Sequence, residues 1–193
     1  MSLMATSERV RGDSQQGWPA TIEDLEMLQD SGLRAELIDG DLIVTPPPNE
    51  WHQDVAYHLL VTLGPSLEGH GLTVRDNRGL RLTDNDMFIP DVVVYRTDRP
   101  ARSGLFLAPA DVVMAVEIVS HSSRRIDRLT KPAALAANGI PFYLLVDPFP
   151  APVRLTLFEL VADSYDQIAQ VEAGTPLPLP APFDITLDTT RLA

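Results

Sequence analysis

The segment ADVVMAVEIVS, residues 110–120, sets one glutamate, Glu117, inside a run that is otherwise almost wholly apolar. The run is far shorter than the roughly 20 apolar residues a bilayer span needs. It is short and valine-rich, which is how a strand buried on both faces reads. MFIPDVVVYR, residues 87–96, has the same character and carries its own acid, Asp91, directly after Pro90. A carboxylate in such a strand is costly unless it is paired or binds a metal. Any fold for this chain must therefore supply a cation to two acids on core strands.

The flanking sequence gives the rest of the architecture. Residues 1–17 are polar and aperiodic and are expected to be disordered, with residues 18–193 forming a single domain. TIEDLEMLQDSG predicts a short helix capped by Thr21, with Asp24 three residues on. AELIDGDLIVT predicts a hairpin turning at Asp39-Gly40, ended by Pro46, Pro47 and Pro48. Val55, Leu59, Leu60 and Leu63 follow at helical spacing. LTVRDN and LRLTDN alternate as two short strands, and RIDRLTKPAALAANGI is an alanine-rich helix closed by Asn138-Gly139. FYLLVDP reads as another buried strand, VRLTLFEL and SYDQIAQV as an antiparallel return, and the tail TPLPLPAPF leads to a last short strand. The order predicts an α/β or α+β fold, a mixed β-sheet core flanked by helices with antiparallel hairpins. The crossover from Glu117 to FYLLVDP should be a right-handed βαβ unit.

Two buried acids on neighbouring strands repel, which raises at least one pKa unless a cation lies between them. Hard divalent ions such as Mg²⁺ or Mn²⁺ take carboxylate oxygens and waters, so Asp91 and Glu117 suit such a site. The competing reading pairs Glu117 with Arg124 or Arg125 just beyond the strand, and spacing alone leans toward that pairing. Lys131 adds weight to the first. It is the single lysine beside fourteen arginines, about one turn into the helix that leaves the Glu117 strand. A lysine there can orient water, assist its deprotonation and stabilise charge on a phosphate, whereas arginine cannot give up its proton. The plain alternative is a solvent-facing charge.

A formal charge of −12 argues against a protein that coats nucleic acid. Residues 75–131 are the exception, with ten basic against eight acidic side chains, and there an anionic substrate would be tolerated. With no cysteine, disulfides and thiolate metal sites are excluded, which fits a cytoplasmic protein. The first residues lack the apolar core of a secretory signal, and no membrane association is expected.

Four motifs in order, ELIDGDLIVTPPPNEWH, IPDVVVY, VEIVSHSSRRIDRLTK and GIPFYLLVDP, resemble the Uma-two family of bacterial proteins. That family lies among the restriction-endonuclease-like PD-(D/E)XK nucleases, and the resemblance covers roughly residues 21–192. It implies that Asp91 is the motif aspartate and Glu117 the acid of the (D/E)XK element. Val119 stands at the usual lysine position, and Lys131 matches the variant in which the lysine has moved to the next helix. By the same resemblance Glu36 and the carbonyl of Ile118 complete a Mg²⁺ or Mn²⁺ site, and His52 is a substrate contact. Asp127 and Arg128 resemble the polar lead-in to the lysine, where Asp127 can also cap the helix. Two residues depart from the pattern: His121 replaces a proline, and Pro132 directly follows the lysine, so the helix either starts late or is kinked.

The expected function is metal-dependent hydrolysis of DNA phosphodiesters, with a homodimer as the expected assembly for double-strand cleavage. A catalytically silent nuclease fold acting as a homodimeric binding module is the alternative, and the acidic charge speaks for it. A sugar hydrolase using the two acids without metal is a third reading, with no part for Lys131.

Overall fold

The computed structural model describes residues 8–10, 20–30, 33–97 and 106–192. Along the chain come β1 (Glu8–Val10), α1 (Ile22–Asp30), β2 (Arg34–Ile38), β3 (Asp41–Thr45) and α2 (Glu50–Ser66). Then follow β4 (Leu72–Asp76), β5 (Gly79–Arg81), β6 (Met87–Phe88), β7 (Val92–Arg96), β8 (Phe106–Leu107) and β9 (Val112–Ile118). The chain closes with α3 (Lys131–Ala137), β10 (Phe142–Asp147), β11 (Arg154–Val161), β12 (Ser164–Glu172), β13 (Leu177–Leu179) and β14 (Ile185–Leu187). Of the amino-terminal segment expected to be disordered, residues 8–10 pair with β3, and the remainder lies outside the described residues. Among the described residues no helix is long and apolar enough to cross a membrane.

The fold is mixed α+β. One sheet runs β1-β3-β2-β6-β5-β8, a second runs β12-β11-β10-β9-β7-β4, and β13 and β14 form a separate hairpin. Only β9 and β10 are parallel in the second sheet, joined through α3 as the crossover predicts. The hairpin at Asp39-Gly40 is present, both residues taking positive φ (52° and 77°) as a tight two-residue turn requires. Thr21 and Asp24 exchange the expected capping hydrogen bonds, 2.8 Å from the Thr21 amide and 3.3 Å from the Asp24 amide.

All seven residues of β9 are buried, and its two faces meet different cores. Val116 and Ile118 pack with Val55, Leu59 and Leu63 of α2, whose apolar stripe covers one face of the second sheet. Ala115 and Val119 face the other way, toward Leu135 of α3 and Ile43 and Phe88 of the first sheet. The two-residue side-chain period of a strand puts Glu117 on this second face, in the seam between sheets.

MFIPDVVVYR, read as one strand, is two. Met87–Phe88 belongs to the first sheet and Val92–Arg96 to the second, with Ile89, Pro90 and Asp91 crossing between them. Pro90 has no N–H to give a ladder, so the pairing breaks there. LRLTDN likewise contributes only the Gly79–Arg81 strand before turning at residues 83–86. The break at Pro90 has a functional consequence: it sets Asp91 at the junction of both sheets.

A buried carboxylate cluster with a caged lysine

β2 clasps the Ile89–Asp91 crossing with two side chains from one strand face. The Ile89 N–H donates to Glu36 Oε1 at 2.6 Å. Arg34 Nη2 donates to the Ile89 carbonyl at 2.7 Å and to Asp91 Oδ1 at 3.0 Å. Asp91 Oδ2 accepts from the Ile118 N–H at 2.9 Å and lies 3.0 Å from His52 Nε2. His52 is held by its place in the first turn of α2, where its amide donates to the capping Asn49 Oδ1 at 2.9 Å. Burial alone would raise the Asp91 carboxyl, but His52, Arg34 and Lys131 outweigh it and hold it down at about 2.

Lys131 arrives from the other side. Its Nζ donates to Glu117 Oε1 at 2.8 Å, lies 3.0 Å from Glu36 Oε1 and 3.8 Å from Asp127 Oδ1, and is only 3% exposed. The Phe88 ring lies beneath the amine, 5.9 Å to its centroid. The helix reaches this position through a wide turn over Ile126–Thr130, in which the Lys131 N–H returns to the Ile126 carbonyl, five residues back. Pro132 therefore sits in the first turn of α3, where its missing N–H costs least. The helical backbone begins at Arg124 and runs through the wide turn into α3, so the late start that the Pro132 position allowed is not found and the wide turn accommodates the proline instead.

Burial would depress the Lys131 amine, but Glu117, Glu36, Asp127 and Asp91 reverse this and hold it charged beyond its ordinary range. An ammonium so held orients water and stabilises negative charge; it does not take a proton. Burial pushes Glu117 well above the usual carboxylate range despite Lys131, with Asp91 adding to the rise. Asp127 is pushed up by burial to about 6.

The sequence-predicted residues Glu36, His52, Asp91, Glu117, Ile118 and Lys131 thus converge in one buried cluster. Three placements differ from expectation. Glu117 is paired by Lys131, not by Arg124 or Arg125, because the wide turn aims the lysine back over the strand. His52 spends Nε2 on Asp91 from a 9% exposed position, which makes it a partner of the aspartate. Ile118 donates its N–H to Asp91 Oδ2, a contact beyond the carbonyl role that the resemblance implies. Arg34 and the carboxyl of Asp127 were missed. Asp127 precedes Lys131 by four helical residues, a legible spacing, whereas Arg34 pairs with an acid far off in sequence.

Beneath the cluster, Tyr143 donates its hydroxyl to the Asp127 carbonyl at 2.6 Å and is 1% exposed. Tyr143→Phe leaves that buried carbonyl without its donor, and we expect it to lose about 1–3 kcal/mol in urea unfolding. A loss below about 0.5 kcal/mol would mean the wide turn is held by other contacts.

Among the described residues, no three carboxylate or imidazole groups surround a common metal position; the Lys131 amine lies between Glu36 and Glu117. The donor chemistry nevertheless fits a hard divalent ion. Four buried acids (Glu36, Asp91, Glu117, Asp127) face two permanent cations, Arg34 and Lys131. The excess is what one divalent ion neutralises, and the ammonium stands in for part of it.

A family model described as "Putative restriction endonuclease" matches residues 20–190. A crystal structure at 1.96 Å, described as a "putative nuclease" of DUF820 from Anabaena variabilis ATCC 29413, superposes with a TM-score of 0.71. The two sequences are 17% identical, and the match covers 90% of this chain and 97% of that one, a likeness of fold. No curated protein matches the sequence. With the family model spanning almost the whole described fold, the chain belongs to the Uma2 family.

Proposed function

We propose that this chain is a divalent-metal-dependent phosphodiesterase acting on nucleic acid, with DNA as its substrate. One observation carries the reading: Glu36 and Glu117, from two separate strands, share a single caged ammonium with Asp127 near it, and Asp91 joins them from the crossing between the sheets through the Ile118 amide, in an otherwise apolar seam. A structural ion pair needs one acid for one base; this cluster holds an excess of acid that the fold does not neutralise. Membership of a family described by restriction-endonuclease chemistry supports the same reading.

Glu36, Asp91 and Glu117 would hold Mg²⁺ or Mn²⁺. Once bound, such an ion supplies Lewis acidity toward the phosphodiester and makes water a better nucleophile near neutral pH. The protein's own contribution is positional. His52, Arg34 and the Ile118 amide fix both oxygens of Asp91 and keep it ionised across the physiological range. Lys131 presents a permanent positive charge, which orients the attacking water and stabilises charge growing on the phosphoryl oxygens. Water loses a proton to solvent as its oxygen bonds to phosphorus, one ester P–O bond breaks, and the departing oxygen takes a proton from solvent.

Calorimetric titration of Mn²⁺ into the metal-free protein tests the reading. Wild type should bind one ion saturably with release of protons, and Asp91→Asn and Glu117→Gln should each abolish binding. Wild type that fails to bind, with or without a phosphorothioate oligonucleotide present, would end the enzymatic reading. The silent binding module would then stand in its place.

A further inference from the structure

We propose that the loop Ser120–Arg125 is the nucleic-acid backbone clamp of this protein, with Arg124 and Arg125 gripping a phosphate that flanks the scissile one. The proposal rests on the phosphodiesterase reading and names the part of the chain that holds the strand.

The loop leaves the carboxyl end of β9 three residues after Glu117 and runs directly into the turn bearing Asp127 and Lys131. It is tied to that turn by the Asp127 amide, which donates to the Ser123 carbonyl at 2.9 Å. Because β9 and β10 are parallel, the residues after β10, including Phe149, emerge at the same edge. Carboxyl ends of adjacent parallel strands are where α/β sheets take their ligands.

The loop is built rather than slack. Ser123 Oγ accepts from the Ser120 amide at 3.0 Å, Ser120 Oγ accepts from the Ser123 amide at 3.2 Å, and the two hydroxyls lie 2.8 Å apart. Arg124 lies flat, its guanidinium carbon 4.0 Å from the centroid of the Phe149 ring. Arg124 Nη2 donates to His121 Nδ1 at 2.8 Å, and the His121 ring lies tilted at 51° against the same phenylalanine, 4.3 Å between centroids. Since the guanidinium can only donate, His121 Nδ1 accepts and its Nε2 carries a hydrogen. That leaves a second outward donor on an exposed ring.

What distinguishes these arginines is their place, unpaired with carboxylate at the start of the turn that carries Asp127 and Lys131. Arg34, Arg81 and Arg128 are each paired with a carboxylate (Asp91, Asp84 and Asp147). Arg124 and Arg125 have no carboxylate partner among the described residues, although the chain carries 27 acids. An arginine held by an aromatic face and an imidazole keeps its charge for an external anion, with Nη2 given to His121 and Nε buried. Arg124 so held, with the exposed Arg125 beside it next to an acidic centre, answers the difficulty that a −12 chain raises for a polyanionic substrate: attraction is local, at the mouth.

The test is fluorescence anisotropy with a labelled 20-base-pair DNA duplex and its single strand, in Ca²⁺, across a salt series. Arg124→Gln and Arg125→Gln should each lower the slope of log K against log salt by about one, and the double variant should bind about tenfold more weakly. Arg96→Gln, exposed at the opposite end of the second sheet, should match wild type. Arg125 is exposed and has no side-chain hydrogen bond or ion pair among the described residues, so a folding defect in Arg124→Gln would leave the proposal testable; thermal melts accompany each variant. If wild type binds and the loop variants bind with the same slope and affinity, the clamp is wrong and the phosphodiesterase reading stands. If wild type binds neither oligonucleotide, both fall.

Discussion

Lys131→Met should separate chemistry from metal binding. Cleavage of a DNA substrate should fall by about 10²–10³, the cost of removing one preorganised group that stabilises transition-state charge. Mn²⁺ binding should survive and become tighter, by about tenfold or more. The ammonium lies 2.8 Å from Glu117 and 3.0 Å from Glu36, so an incoming ion must compete with it for those oxygens. Deleting the competitor leaves the acids facing only Arg34 among permanent cations. The metal-free variant should in turn be less stable at pH 8 than at pH 5, because unpaired buried acids must take up protons. Single-turnover cleavage, calorimetry and thermal melts at two pH values read the three effects. Loss of Mn²⁺ binding in Lys131→Met would show that the lysine builds the metal site instead of competing for it.

The cluster was legible in the sequence where a residue violated its surroundings. An acid inside VVMAVEIVS and another after Pro90 in a valine run each required an explanation, and one was found for both. Lys131 was legible from its rarity and its place after the strand. Arg34 was not, because an arginine at the start of a strand is ordinary until its partner is known, and that partner lies 57 residues away. The division of MFIPDVVVYR between two sheets escaped for a related reason. Pro90 marks a break in pairing, but whether the strand resumes in the same sheet depends on neighbours that local pattern does not name. His52 shows the limit most plainly. Its position in the first turn of α2 was readable, whereas its orientation toward Asp91 follows from how α2 packs across the second sheet.

Metal-free protein should lose stability as pH rises through about 6, and Mn²⁺ should reverse that dependence. Asp127 rises from 3.8 to about 6 on folding, so between those values the native state holds more protons than the unfolded chain. Stability then falls with increasing pH: the favourable contribution is full below about 3.8 and gone above about 6. At 1.36 kcal/mol per unit, the contribution from Asp127 is on the order of 3 kcal/mol. Glu117 is raised by burial in the same direction and adds to the loss. Asp91 has the opposite sign, since its folded value of about 2 means its stabilisation is complete at neutral pH and lost only as pH falls below about 4. A divalent ion displaces the protons that Glu117 retains and relieves the repulsion among the acids, so its stabilisation should grow with pH over the same window. Melting temperatures from pH 4 to 8, with EDTA and with Mn²⁺, should therefore diverge as pH rises. Parallel curves would mean that the excess acids in the seam are neutralised by the fold itself, and that the cluster is a structural ion-pair network.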